Sequence, residues 1–76
     1  MAKKIVLTQE ALQALKEELH TLETVERKYV EQALAEARKL GDLSENPDYL
    51  EALDYRAELE TRIQQIRQIL EQAEIA

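Results

Sequence analysis

The sequence predicts an all-α protein, a long antiparallel two-helix coiled-coil hairpin. Three observations lead there. One glycine and one proline, Gly41 and Pro47, stand six apart near the middle of 76 residues, and neither type occurs elsewhere. The remainder is rich in Ala, Leu, Glu, Gln, Lys and Arg, which lose little on entering a helix. Apolar residues recur at spacings of three and four on both sides of the Gly–Pro pair. A chain of this length is one domain, residues 1–76, with its turn at about 41–46.

The first helix is expected over about residues 8–40. Thr8 suits the N-cap, because its hydroxyl can accept an orphan amide of the first turn. Leu12, Leu15, Leu19, Leu22, Tyr29, Ala33, Ala37 and Leu40 form a seam, with one seven-residue step over Glu26. Val25, Val30 and Leu34 widen it. Gly41 suits the left-handed position that ends a helix. Asn46 followed by Pro47 suits N-cap and first helical position of a second helix. The second helix, about 47–73, repeats the pattern at Ala52, Arg56, Leu59, Ile63, Ile66, Leu70 and Ala73. Arg56 is the one charged residue on that seam, its stem expected along the core and its guanidinium in water. Glu23 with Arg27 and Glu58 with Arg62 have the favourable i,i+4 order. Ile5-Val6-Leu7 is expected to form a short strand or to pack on the helix ends. At about 1.5 Å per residue, each arm is roughly 40–50 Å long.

Composition narrows function. There is no cysteine, so disulfides and thiolate metal sites are excluded. A single histidine, His20, excludes a site built on two imidazoles, and its place between Glu17 and Glu23 suits a solvated face. A net charge of −6 argues against general nucleic-acid binding, which needs basic surface. Three tyrosines without Trp or Phe leave few platforms for stacking bases. No apolar run reaches the ~20 residues of a membrane span, and Met1–Leu7 is too short in apolar residues for a signal peptide. No membrane contact and a cytoplasmic location are expected. A chain this short leaves little room for an enclosed catalytic pocket.

The unusual chemistry lies in the turn. Between Leu40 and Tyr55 stand five acids and no base until Arg56: Asp42, Glu45, Asp48, Glu51 and Asp54. The last three fall in the opening turns of the second helix, where the helix dipole favours negative charge. Asp42 and Glu45 sit in the turn itself. Two carboxylates are the protein share of many Mg²⁺ sites, the rest of the shell being water and substrate phosphate. They make half a site, and a partner would have to bring the other half.

The stretch Gly41-Asp42-Leu43-Ser44-Glu45-Asn46-Pro47-Asp48-Tyr49 closely resembles the tip of the bacterial Gre transcript cleavage factors, of the GreA type. Glu17-Glu18-Leu19 and Ala35-Glu36-Ala37-Arg38 resemble that family's first helix, and Leu70-Glu71-Gln72-Ala73-Glu74-Ile75 the end of its N-terminal domain. The resemblance implies a coiled-coil arm that enters the secondary channel of bacterial RNA polymerase. It implies that Asp42 and Glu45 are the catalytic acids and help hold a Mg²⁺ shared with the polymerase, and that backtracked RNA is then cleaved. On that reading the chain is no enzyme itself and stimulates the polymerase's own cleavage activity. The nascent RNA 3′ end is met indirectly, and no cofactor is held tightly by the chain alone.

The same resemblance assigns Leu43, Ser44, Asn46, Pro47 and Tyr49 to the tip and its polymerase contacts, and Arg38, Lys39 and Arg56 to a possible RNA contact. Tyr49 fits packing beneath the tip as well as a channel contact. Arg38 and Lys39 also suit the last carbonyls of the first helix. The chain departs from the family at Leu53, where a basic residue is frequent, at Lys28, which replaces a mid-helix proline, and at Pro47, where alanine is usual. The family's FKBP-like C-terminal domain is expected to be absent from these residues, and the chain to be a monomer. Two rival readings are a channel-binding inhibitor of the same fold and a structural coiled-coil module. The intact acidic pair favours cleavage over inhibition.

Overall fold

A computed structural model describes residues 4–41 and 46–76. In chain order they form β1 (Ile5–Leu7), α1 (Gln9–Thr21), a π-helical turn (Leu22–Glu26), α2 (Arg27–Arg38), α3 (Pro47–Gln72) and β2 (Ala73–Ile75). Residues 9–38 are thus helical without a break. Thr8 caps α1 through its hydroxyl, which accepts from the Ala11 amide at 3.1 Å. The molecule measures 52 × 25 × 12 Å, a rod.

The two helical segments lie side by side. Ala37 meets Asn46, Tyr29 meets Tyr55, Arg27 meets Glu60 and Glu18 meets Arg62. Residues further back along the first segment therefore meet residues further forward along α3. The buried residues are Val30, Leu34, Ala37, Ala52, Leu59, Ile63 and Ile66, all apolar. Leu19, Leu22, Ala33, Tyr49 and Leu53 pack against this core while half-buried. The α3 seam is as expected at Ala52, Leu59, Ile63 and Ile66, with Arg56 exposed.

The first seam differs from the expected one. Tyr29 is 63% exposed and Leu40 67%, whereas Val30, Leu34 and Ala37 are buried. The π turn is the physical reason. The Arg27 amide donates to the Leu22 carbonyl, five residues back. The Thr24 hydroxyl donates to the His20 carbonyl at 2.7 Å, a back-bond of the kind that bends helices. Such a turn takes up one extra residue. The step from Leu22 to the next buried position is then eight residues, to Val30, and Tyr29 is rotated off the seam.

The ends also differ from an all-α hairpin. β1 and β2 pair in parallel, with Ile5 opposite Ala73, Val6 opposite Glu74 and Leu7 opposite Ile75. A parallel pair needs a long crossover, and the whole helical rod supplies it. Ala73 leaves the helix with extended backbone, φ −74° and ψ 138°. The run Gln72-Ala73-Glu74 has helical propensity, and pairing with the β-branched Ile5-Val6 overrides it.

Charged side chains bridge the helices along the rims. Arg62 grips Glu18 with two hydrogen bonds of 2.7 and 2.9 Å, and Arg27 grips Glu60 with two of 3.0 and 2.9 Å. Arg67 pairs with Glu23, which also lies 4.0 Å from Arg27. Arg62 thus reaches across the rod to Glu18, where an intrahelical pair with Glu58 was expected. The guanidinium hydrogen bonds hold the carboxyls of Glu18 and Glu60 below the usual range, against a smaller opposing effect of desolvation.

Leu34→Ala is expected to cost about 2–5 kcal/mol in denaturant unfolding, and Tyr29→Ala no more than about 1.5 kcal/mol, the scale of an aromatic edge contact. A seven-residue step would reverse that order. The lowered carboxyls of Glu18 and Glu60 also give a pH dependence. Their contribution is present above the unfolded carboxylate value of about 4.3 and is lost as pH falls through their lower folded values. Thermal unfolding followed from pH 6 to 3 should show a steep loss in the parent and a shallower one in Arg27→Gln/Arg62→Gln.

Candidate functional site

The end of the rod opposite the strands is built from the termini of α2 and α3. The last turn of α2 tightens, with the Lys39 amide donating to the Glu36 carbonyl at 3.2 Å and the Leu40 amide to the Ala37 carbonyl at 3.1 Å. Gly41 follows at φ +100°, the left-handed region that favours glycine. A Cβ there would meet no described atom within 4 Å, so the positive φ is what favours glycine.

Asn46 joins the two helices. Its Oδ1 accepts from the Asp48 amide at 3.0 Å and the Tyr49 amide at 3.4 Å, capping α3. Its Nδ2 donates to the Ala37 carbonyl at 3.2 Å, near the end of α2. One side chain thus caps orphan amides of α3 and ties them to a carbonyl in the last turn of α2 that also accepts from Leu40. Pro47 occupies the first turn of α3, where its missing N–H costs nothing. The Asn–Pro pair announced the cap, but nothing in the sequence announced the second bond to Ala37.

Asp42, Leu43, Ser44 and Glu45 lie outside the described residues. Of the other expected site residues, Asn46 is half-buried in its capping role and Pro47 is exposed. Tyr49 is half-buried and packs on the core, the structural role the sequence had left open. Arg38 is exposed, and Lys39 makes an exposed ion pair with Glu36 at 3.2 Å. Arg56 lies about two and a half turns along α3 from Pro47 and is exposed. His20 is exposed as well. Among the described residues no three His, Asp or Glu side chains converge to hold a metal ion. Asp48 stands in the first turn of α3, where the helix dipole welcomes it.

The flank of the rod carries a second feature. Val25, Glu26 and Tyr29 from the first segment and Asp48, Glu51 and Tyr55 from α3 line an open groove of about 670 Å³. Tyr29 and Tyr55 meet edge to face, ring centroids 6.2 Å apart at 76°. The Tyr55 hydroxyl donates to Glu26, which raises its pKa above the ordinary phenol value. Sequence reasoning placed Tyr29 in the seam. The available signal was the eight-residue interval between Leu22 and Val30, one too many for a regular heptad.

A family model described as "Transcription elongation factor, N-terminal" matches residues 5–75. The chain is 47% identical over 75 residues to the transcription elongation factor GreA of Mycoplasma capricolum subsp. capricolum, covering 99% of this chain and 48% of that protein. It is 47% identical over 73 residues to the GreA of Lachnoclostridium phytofermentans, covering 96% of this chain and 46% of that protein. With the GreA of Thermoanaerobacter pseudethanolicus it shares 43% identity over 75 residues, 99% of this chain and 48% of that protein. The chain spans about half the length of these curated relatives. The match runs from β1 to β2, through both helical segments and the acidic stretch between them, and on that evidence the chain belongs to the GreA/GreB transcription elongation factor family, whose N-terminal domain it carries.

Proposed function

We propose that this domain is a coiled-coil arm that enters the secondary channel of bacterial RNA polymerase and stimulates cleavage of backtracked RNA. The observation that carries the proposal is the sequence Asp42-Leu43-Ser44-Glu45, joining the ends of two long helices in a chain of this family. Cross-helix pairs such as Arg27 with Glu60 and Glu18 with Arg62 support an antiparallel arm, since each links the two helices side by side.

The donor set fits magnesium. Asp42 and Glu45 offer hard carboxylate oxygens, and neither Cys nor His occurs between Leu40 and Tyr55. Those two residues would hold the ion together with carboxylates of the polymerase, and when bound the ion supplies charge neutralisation at the oxygens of a phosphodiester. The helices extend the acids' reach by roughly 40 Å. Gly41 and Asn46 set the two ends of the acidic stretch by a left-handed backbone and a double-sided cap. Arg38 and Lys39, exposed at the same end, are suited to anionic RNA nearby. The chemistry belongs to the polymerase, and the arm completes its site.

Asp42→Ala/Glu45→Ala should abolish cleavage in stalled, backtracked polymerase complexes while the circular dichroism of the helices is unchanged. Cleavage at the parent level would sink the proposal, and channel blockage without cleavage by the parent chain would mark an inhibitor. Titration calorimetry of the chain alone should show no tight Mg²⁺ binding, because two carboxylates leave most of the ion's shell to water.

A further inference from the structure

We infer that the groove between the π turn and the first half of α3 is a docking site for a basic, apolar-faced helix of a partner protein. Its floor is apolar and aromatic and lies open: Val25 is 61% exposed, Tyr29 63% and Tyr55 37%. Large apolar groups gathered in one exposed patch mark an interaction surface more often than scattered ones do. The π turn produces the patch, since a regular helix would have carried Tyr29 into the seam. π turns of this kind recur at functional positions.

Charge selects the occupant. Glu26, Asp48 and Glu51 rim the groove, and among the described residues no lysine or arginine lines it. Asp48 and Glu51 take part in no ion pair among the described residues. RNA and anionic lipid would be repelled by three carboxylates. A second copy of this chain, at net charge −6, would be repelled as well. A cationic protein segment is attracted, and Tyr29 and Tyr55 offer ring faces and edges to arginine or lysine stems.

Length selects a helix. From Val25 to Ala33 the first segment rises about 12 Å, and from Asp48 to Tyr55 α3 rises about 10 Å. That is the span of side chains at i, i+4 and i+7 on a partner helix laid in the groove. Apolar residues of the guest would cover Tyr29 and Ala52, and its basic residues would face Glu26, Asp48 and Glu51. A third helix there gives the two-helix rod the closed core it lacks on this flank. The site is on the shaft, so it stands or falls independently of what the acidic tip does.

The test uses the full chain, ¹⁵N-labelled, titrated with a synthetic amphipathic peptide of leucine, alanine and lysine about four turns long, followed by amide shifts. Saturable shifts at Val25, Tyr29, Ala33, Ala52 and Tyr55, weakening as salt rises, are expected. Tyr29→Ala and Glu51→Lys should each weaken binding about tenfold or more, the scale of losing a central anchor. Both residues are exposed, so either variant carries the test if the other fails to fold. The inference is overturned by equal binding of the counterpart peptide with glutamate for lysine, or by shifts spread over the rod. It is also overturned if the same amides shift with single-stranded RNA, or with chain concentration in the absence of peptide.

Discussion

Two helices in contact bury one stripe each, and that single seam holds this molecule together. Among the described residues seven apolar ones are buried, and no polar residue is buried with them. Each Leu, Ile or Val so buried contributes roughly 1.5–3 kcal/mol at best, so the seam has little to spare and a drift of the stripe around the first helix would be costly. The apolar pattern contains such a drift, eight residues from Leu22 to Val30. The π turn absorbs it. Leu22, Val30, Leu34 and Ala37 stay in line with Leu59, Ile63 and Ile66, and Tyr29 is turned outward.

That trade explains what was legible in the sequence and what was not. The α3 stripe could be read residue by residue because its spacing of three and four is unbroken. Thr8, Gly41, Asn46 and Pro47 could be read because each serves a local need: an orphan amide, a positive φ, a cap, a first-turn ring. The register of the first helix after Leu22 was not legible by the same rule. A step of seven over Glu26 and a step of eight with a π turn both place apolar residues at plausible positions. What decides between them is the fit to α3, a tertiary interaction. The β1–β2 pair was half visible: Ile5-Val6-Leu7 looked like a strand, but its partner reads as the end of a helix. The resemblance of the acidic turn to a family's tip agrees with the family found by comparison.

The ion pairs follow from the same narrow seam. With no third helix to cover its rims, the core is bordered by long side chains reaching across it, Arg62 to Glu18 and Arg27 to Glu60. Exposed pairs contribute little individually, and their geometry does something else as well. The paired carboxylates and guanidiniums are neutralised in place on the shaft, so much of the chain's uncompensated negative charge falls elsewhere. Asp48, Glu51 and Asp54 make no such pairs among the described residues, and Asp48 and Glu51 also border the groove.

The distribution of duties along the rod then has a physical logic. The strand end ties the two chain segments together through backbone hydrogen bonds, with the Ala76 amide reaching the Leu7 carbonyl at 2.8 Å. The middle supplies the large buried side chains, Leu34, Leu59, Ile63 and Ile66. Toward the other end Ala37 and Ala52 are buried near Leu34, and Asn46 bridges the helix termini. What holds this end is therefore twofold: the packing of Tyr49 and Leu53 on the core beside Leu34, and the Asn46 side chain, which ties the start of α3 to the last turn of α2 just where Gly41 turns the chain out of the helix.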